Sequence, residues 1–347
     1  MCIALRYEPS RDYSPQPVSA PRVLVTFSPP SPEIREAILE TLEPVATVGF
    51  LPEVEQEQRA AALESADALL AWDIARELSD PDERAIPRTA RLIQFVSAGV
   101  DRVPFDRLPP DVPVASNAGA FAQPMAEHVL ALALTLAKRL PQNHAALARG
   151  EFNQQTPTLA IEGSLVVVLG FGGIGQASAK LFRALGARVH AVNRSGHTDE
   201  AVDSIGTLAD LDAVLAAADI LVVSLPLTRA TEGMLGAREL TLMKPEAILV
   251  NVARAAIIDE DALYEHLRRN ASFSAGVDTW WQEPRGEGTF ATRRPFFELP
   301  NVLGSPHNSA IVAGALAGSA RRAAANVARA LRGEPVKNLV DRAEYVD

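Results

Sequence analysis

The sequence has little cysteine, few aromatic residues and no long apolar run. Its one cysteine, Cys2, cannot form an intramolecular disulfide or a thiolate metal site, which is typical of a reducing compartment such as the cytoplasm. Apolar runs stay well short of the roughly 20 residues that a transmembrane helix needs. These absences predict a cytoplasmic protein without a membrane segment.

Basic residues are also in deficit, with 33 Lys and Arg against 43 Asp and Glu. Because a phosphate backbone is held by clustered Lys and Arg, the net charge of -10 argues against a nucleic-acid partner. The composition is 48% hydrophobic over 347 residues, which excludes a mainly disordered chain and exceeds what one core usually organises. We expect two domains and a flexible arm over residues 1–21, where Pro, Ser and charged residues are frequent.

From residue 22 onward, short β-type runs alternate with helical patterns, which is typical of an α/β fold with parallel strands. The first series predicts a helix at 31–42 and strands at 23–27, 45–50, 68–73 and 92–97. The second predicts helices at 173–185, 208–217 and 260–269, and strands at 165–169, 188–192, 220–225, 247–252, 273–277 and 302–304. The pattern therefore predicts two doubly wound parallel sheets, with a final helix at 310–331 that returns to the first.

The longest helical pattern covers residues 122–149, and its middle, 129–137, is apolar on nearly every face. Such a helix must be buried all round. Burial between domains or between subunits would satisfy it, and we favour a homodimer contact, since two-fold dimers are common among soluble enzymes.

A predicted strand at 165–169 runs directly into a G-x-G-x-x-G turn and then a helix. Gly170 permits the tight turn, Gly172 lets the backbone approach a pyrophosphate, and Gly175 lets the helix pack on the strand. The amides at the helix start would meet the phosphate charge. A plain strand-to-helix turn with glycine as breaker is the alternative, but the order of elements favours a dinucleotide site that includes Gly173 and Ile174.

The end of the next strand lacks the acidic residue that usually binds an adenosine ribose and has Asn193 and Arg194 instead. A guanidinium pairs with a 2′-phosphate, whereas a carboxylate would repel it. We therefore predict NADP or NAD as cofactor, with NADP slightly favoured. Arg194 could equally stack on adenine as a solvated loop residue, and NAD would then be accepted.

Ionisable residues follow three later strands: Arg254, then Asp278 and Glu283, then His307. The ligand crevice of an open α/β sheet lies at these strand ends. Taken singly, each residue could be a surface or capping group; together they supply an anion clamp, a proton donor and a carboxylate to orient it. The other histidines have no metal-ligand spacing, so no metal site is predicted.

These residues resemble the D-isomer-specific 2-hydroxyacid dehydrogenases, over roughly residues 92–331. The stretches that match family signatures follow one another in the family's order: 96–101, 117–119, 125–128, 225–228, 251–254, 276–278 with 283–284, and 305–307. The resemblance implies a Rossmann-type cofactor domain, residues 118–307, inserted into a flavodoxin-like substrate domain, residues 22–117 and 308–347. The active site would lie where the two domains join.

The resemblance also implies roles. Arg254 would hold the substrate carboxylate and polarise the 2-keto oxygen, His307 would exchange a proton with the substrate oxygen, and Glu283 would orient His307. The substrate carboxylate would meet the turn formed by Ser97, Ala98 and Gly99. Beyond the glycine turn, the implied cofactor contacts are Asn193, Arg194, Leu225, Pro226, Thr231, Val252, Ala253 and Asp278, the last at the nicotinamide carboxamide.

Our main hypothesis is an NAD(P)-dependent oxidoreductase acting on a small 2-keto or D-2-hydroxy acid such as glyoxylate or hydroxypyruvate. Formate dehydrogenases share the fold, but they carry Gln at the position of Glu283. Dinucleotide-sensing binding proteins, like transcriptional co-repressors, keep the same ionisable residues and stay open. Trp280 and Trp281 could line a substrate pocket or pack near the hinge between domains.

Overall fold

The computed structural model describes residues 20–284 and 288–345, so the predicted arm lies almost entirely outside the described residues. The first sheet is parallel and has five strands: β1 (Arg22–Val25), β2 (Thr47–Phe50), β3 (Ala68–Ala71), β4 (Leu92–Phe95) and β5 (Val114–Ala115). They lie in the order β2-β1-β3-β4-β5, which is the flavodoxin-like order. Its helices are α1 (Pro32–Leu42), α2 (Arg59–Glu64), α3 (Ile74–Glu77) and α4 (Asp80–Arg84).

Two helices, α5 (Ala122–Ala137) and α6 (Leu140–Ala148), lead to a second parallel sheet. Its strands are β6 (Leu165–Leu169), β7 (Arg188–Val192), β8 (Ser204–Gly206), β9 (Ile220–Val223), β10 (Ile248–Asn251), β11 (Ser274–Val277) and β12 (Val302–Gly304). They lie in the order β12-β11-β10-β9-β6-β7-β8, so the strand order reverses at β6, as in a Rossmann sheet. Its helices are α7 (Gly173–Ala184), α8 (Leu211–Ala217), α9 (Ala237–Leu242) and α10 (Glu260–Arg269).

Two parallel α/β sheets were predicted, and the structure confirms them. The central strands β9 and β10 are buried along their whole length because helices cover both faces, which explains their unbroken apolar sequences. Two short strands, β5 and β8, were missed. β5 has two residues and β8 has three partly exposed ones, too few to show an apolar pattern.

The single helix predicted at 122–149 is wrong, because the chain breaks after α5. Arg139 adopts a left-handed conformation with φ 52°, and α6 starts in a new direction. Pro141 has no N–H to donate to Ala137, whose carbonyl instead accepts a bond from the Leu159 amide at 3.1 Å. Within the described ranges, no helix has the length and apolarity of a membrane span.

The final helix, α11 (Ala315–Arg332), starts five residues later than predicted and packs against α1 and the first sheet. Its buried face is rich in alanine, including Ala320, Ala323 and Ala324, and joins the core of β1 and β3. Small side chains allow this close approach. The segment that follows reaches β5, where Leu339 forms an antiparallel bridge with Ala115. The domain boundaries after residues 117 and 307 remain predictions.

Candidate active site

One large cleft lies at the carboxyl ends of both sheets. Its walls come from the segments that follow β4, β6, β7, β9 and β10, with the His307 segment and the chain's end. Its volume of about 1590 Å³ exceeds the roughly 300–1,000 Å³ of an ordinary small-ligand pocket. A dinucleotide together with a small acid would fit this space.

The glycine turn after β6 has the geometry that a pyrophosphate requires. Gly170 has φ +97°, and a Cβ there would lie 2.7 Å from the Leu225 amide nitrogen. A Cβ on Gly175 would overlap the Gly170 carbonyl, whereas one on Gly172 would meet nothing within 4 Å. No side chain among the described residues caps the start of α7, where Gly172, Gly173 and Ile174 line the cleft, so its first amides are available to a ligand. The turn therefore fits a dinucleotide phosphate.

The predicted cofactor residues divide into two groups. Those that line the cleft are Gly170, Gly172, Gly173, Ile174, Asn193, Arg194, Leu225, Pro226, Thr231, Val252 and Ala253. Gly175 and Asp278 lie behind its wall. Thr231 also has a structural task, because its hydroxyl donates to the Pro226 carbonyl at 2.7 Å and closes the loop after β9.

Asp278 is fully buried, and its carboxylate holds the 305–309 loop rather than facing the cleft. It accepts bonds from the Ser305 hydroxyl at 2.6 Å and from the amides of Asn308 and Ser309 at 3.2 Å. Its backbone carbonyl accepts from the His307 amide at 2.8 Å. The carboxylate that was expected to bind a nicotinamide carboxamide is therefore already hydrogen-bonded to the 305–309 loop.

Arg254 lies directly against the predicted substrate turn. A Cβ on Gly99 would overlap Nη2 of the guanidinium, so only glycine allows this approach. Arg254 Nε donates to Asp101 at 3.1 Å, and Nη1 donates to the Ala253 carbonyl at 2.8 Å. Among the described residues, nothing accepts a bond from the amides of Ala98 and Gly99. These two amides and Nη2 can therefore receive an anion together.

His307 Nδ1 and Glu283 Oε1 are 2.8 Å apart, which is a hydrogen-bond distance. Burial opposes ionisation of Glu283, but hydrogen bonds from His307 and the Trp280 amide, with the charges of His307 and Arg102, lower its pKa to about 2. His307 itself has φ +50°, a left-handed conformation that costs a non-glycine residue about 1–2 kcal/mol. The bonds to Asp278 hold the loop in this conformation, and His307 lines the cleft.

Two residues of the first sheet's loops contact this site and were not singled out from sequence. Asp101 pairs with Arg254, and Arg102 Nη2 lies 3.4 Å from Glu283 Oε2. The sequence feature that could have pointed to them is their position directly after the turn formed by residues 97–99. Both link loops of the first sheet to ionisable groups of the second.

Trp280 and Trp281 pack inside the second unit and do not line the cleft, whereas Trp72 of the first unit does. Trp281 stacks on Phe296 with centroids 5.4 Å apart, and its indole N–H donates to the Ile258 carbonyl at 2.8 Å. The Trp280 indole N–H donates to the Ser305 carbonyl at 2.9 Å, two residues before His307. Both therefore pack, but within the second unit rather than at a hinge, and Trp280 supports both Glu283 and the 305–309 loop.

The described residues include no group of three or more His, Cys, Asp or Glu side chains that could hold a metal ion. The chain's end, residues 338–345, also lines the cleft. No local pattern in the sequence placed it there.

Residues 130–309, just over half of the chain, match the model of the D-isomer specific 2-hydroxyacid dehydrogenase NAD binding domain. A glyoxylate reductase of Thermococcus litoralis is 31% identical over 238 residues, 66% of this chain and 70% of that protein. A D-3-phosphoglycerate dehydrogenase of Methanocaldococcus jannaschii is 28% identical over 312 residues, 89% of this chain. The chain spans 58% of that longer protein.

Solved structures are similar over nearly the whole length. A provisionally assigned formate dehydrogenase from Pyrobaculum aerophilum has a TM-score of 0.78 at 30% identity and covers 93% of this chain and 99% of its own. A D-isomer specific 2-hydroxyacid dehydrogenase from Xanthobacter autotrophicus, solved with NADPH, has a TM-score of 0.75 at 28% identity. That alignment covers 95% of this chain and all of the other.

Proposed function

Because this chain belongs to the D-isomer specific 2-hydroxyacid dehydrogenase family, we propose that it interconverts a small 2-keto acid and the D-2-hydroxy acid with a nicotinamide dinucleotide. The observation that carries the proposal is one cleft lined by the glycine turn, Arg254 and His307, with Glu283 hydrogen-bonded to His307 from behind the lining. In this proposal, residues 22–117 with 308–347 form the substrate domain, and residues 118–307 form the cofactor domain.

The bound dinucleotide would supply or accept the hydride. The protein would bind the negative charge of the substrate and transfer a proton to or from the substrate oxygen. Arg254 and the amides of Ala98 and Gly99 hold the substrate carboxylate. Glu283, whose pKa is about 2, is ionised at neutral pH and can only accept, so His307 Nδ1 carries a proton. Nε2 is then the nitrogen that gives the substrate oxygen its proton in reduction and removes it in oxidation.

The proposed cofactor is NADP or NAD, with NADP slightly favoured by Arg194. That side chain lines the cleft at the end of β7 and is 81% exposed, so it can reach a 2′-phosphate. The Xanthobacter structure contains NADPH, which fits this preference.

Glyoxylate and hydroxypyruvate are the first substrates to test, since the Thermococcus relative is a glyoxylate reductase. Formate oxidation is the second candidate because of the likeness to the Pyrobaculum protein. Glu283 argues against it. An ionised carboxylate favours a charged imidazole that can donate a proton, whereas formate has no alkoxide to protonate.

The test mixes purified protein with NADH or NADPH and a panel of 2-keto acids, and with NAD⁺ or NADP⁺ and formate, while absorbance of the reduced nicotinamide is followed. Turnover of at least one 2-keto acid is expected. Cofactor binding without turnover of any acid would favour a dinucleotide-sensing protein. Turnover of formate alone would favour the second candidate.

We further propose a homodimer through the 122–149 region. Every residue of α6 is at least partly exposed, and Leu140 and Leu147 are more than half exposed, with Phe152 just beyond. A second copy would cover this apolar face. Light scattering should show a dimer that Leu147→Glu dissociates, while the control Leu185→Glu, at the exposed end of α7, leaves the mass unchanged.

A further inference from the structure

The acidic residue missing after β7 is supplied from the other end of the chain. Glu344 Oε1 lies 2.5 Å from Arg194 Nη2, and both residues line the cleft. We infer that Glu344 determines cofactor specificity: it occupies Arg194 and lowers the preference for the 2′-phosphate that Arg194 alone would create. The inference rests on the proposed dinucleotide site.

Glu344 is held in place by a segment, residues 338–345, that is anchored on the first sheet. The Val340 amide donates to the Val114 carbonyl at 2.9 Å. The Arg342 guanidinium donates to the Pro109 carbonyl at 2.9 Å and also to the Val112 carbonyl. These bonds fix the direction in which the segment leaves β5.

The same segment is bound on the cofactor side. The Glu344 carbonyl accepts from the Arg229 amide at 3.3 Å, and the Ala343 carbonyl accepts from the Arg229 guanidinium. The Glu344 side chain is only 25% exposed, whereas Arg194 is 81% exposed. Glu344 is therefore the ordered member of the pair, and it positions Arg194 rather than the reverse.

The charges of Arg194 and Glu344 determine whether the pair binds a 2′-phosphate or a ribose hydroxyl. A 2′-phosphate would carry about -1.5 to -2 charge and would meet a carboxylate already in contact with the guanidinium it needs. A ribose hydroxyl can instead donate to a carboxylate, as it does to the acidic residue of ordinary NAD sites. Because the pair faces solvent, the effect is screened and moderate.

The test measures dissociation constants of NADH and NADPH without substrate, from the fluorescence of the reduced nicotinamide. Wild type, Glu344→Gln, Arg194→Gln and the double variant form a thermodynamic cycle. Glu344→Gln should raise affinity for NADPH relative to NADH about tenfold. In the Arg194→Gln background the same change should have less than about a twofold effect.

Glu334→Gln is the matched control: it removes the same charge ten residues earlier, where Glu334 contacts Arg329 and Arg332 away from the cleft. An unchanged ratio in Glu344→Gln overturns the inference, as does an equal shift in the control or in the Arg194→Gln background. Failure of wild type to bind either cofactor overturns the proposed function as well. Binding of both with no shift overturns the inference alone.

Discussion

At the proposed substrate end of the cleft, Arg254 and Glu283 are partly buried and hydrogen-bonded to several neighbours. At the proposed adenosine end, the exposed Arg194 pairs, among the residues that the structure describes, with Glu344 alone. Arg254 is 27% exposed and Glu283 18%, against 81% for Arg194. A proton transfer depends on fixed geometry, so its groups are held by short, multiple bonds. Recognition of a ribose with or without a 2′-phosphate tolerates a looser contact.

The largest effect should follow from removing the proton donor at the substrate end. We expect His307→Asn to lower kcat about 1,000-fold, while NADH binding is retained, because Asn tolerates the left-handed backbone at this position. Steady-state assays measure kcat, and a parallel fluorescence titration measures the dissociation constant of NADH. A kcat within tenfold of wild type would show that His307 is not the general acid.

Glu283→Gln should act on the same step through His307. A neutral amide supports a charged imidazole less well, so kcat for reduction should fall about 30-fold and the alkaline limb of its pH–rate profile should move to lower pH. An unchanged profile would remove Glu283 from the mechanism.

The same substitution has a readout in stability. The pKa of Glu283 is lowered to about 2, so its stabilisation is present above its ordinary pKa and is lost as pH falls through about 4.5 toward 2. We expect the loss of Tm between pH 7 and pH 3 to be smaller in Glu283→Gln than in wild type. Thermal melts in a pH series test this, with Arg102→Gln expected to show a weaker change of the same sign.

The substitution Asp278→Asn distinguishes between a role in holding the 305–309 loop and a role in binding the cofactor. If the carboxylate holds the 305–309 loop, losing one acceptor should lower kcat about tenfold and leave the dissociation constant of NADH nearly unchanged. If it binds the nicotinamide carboxamide, the dissociation constant should rise instead. Measuring both on one preparation distinguishes the two.

The smallest effect is expected at the exposed end. Arg194→Gln should weaken NADPH binding about threefold and leave NADH nearly unchanged, because Glu344 already offsets much of the arginine's charge. High salt should reduce the difference. Equal affinities of the variant and wild type for NADPH at low salt would mean that Arg194 does not contact the phosphate.

Local sequence signals were sufficient for much of this molecule. Apolar runs of four or five residues predicted both parallel sheets, and the glycine turn was predicted with its helix. Arg254 and His307 were expected near one another because the carboxyl ends of parallel strands meet at one edge, and both line one cleft. The helical pattern over 122–149 did not show the break between α5 and α6, at which Pro141 removes a helical hydrogen bond.

What the sequence by itself determined is the set of elements and the edge at which their polar residues gather, since periodicity and strand direction are properties of short segments. Only the tertiary structure decided that Asp278 is buried under the His307 loop and that Glu344 contacts Arg194. The first contact depends on how the loop after β12 folds over the end of β11, and the second on how α11 returns the chain to the first sheet and where β5 directs residues 338–345. No short segment contains that information, because it arises only when residues distant in the sequence come together.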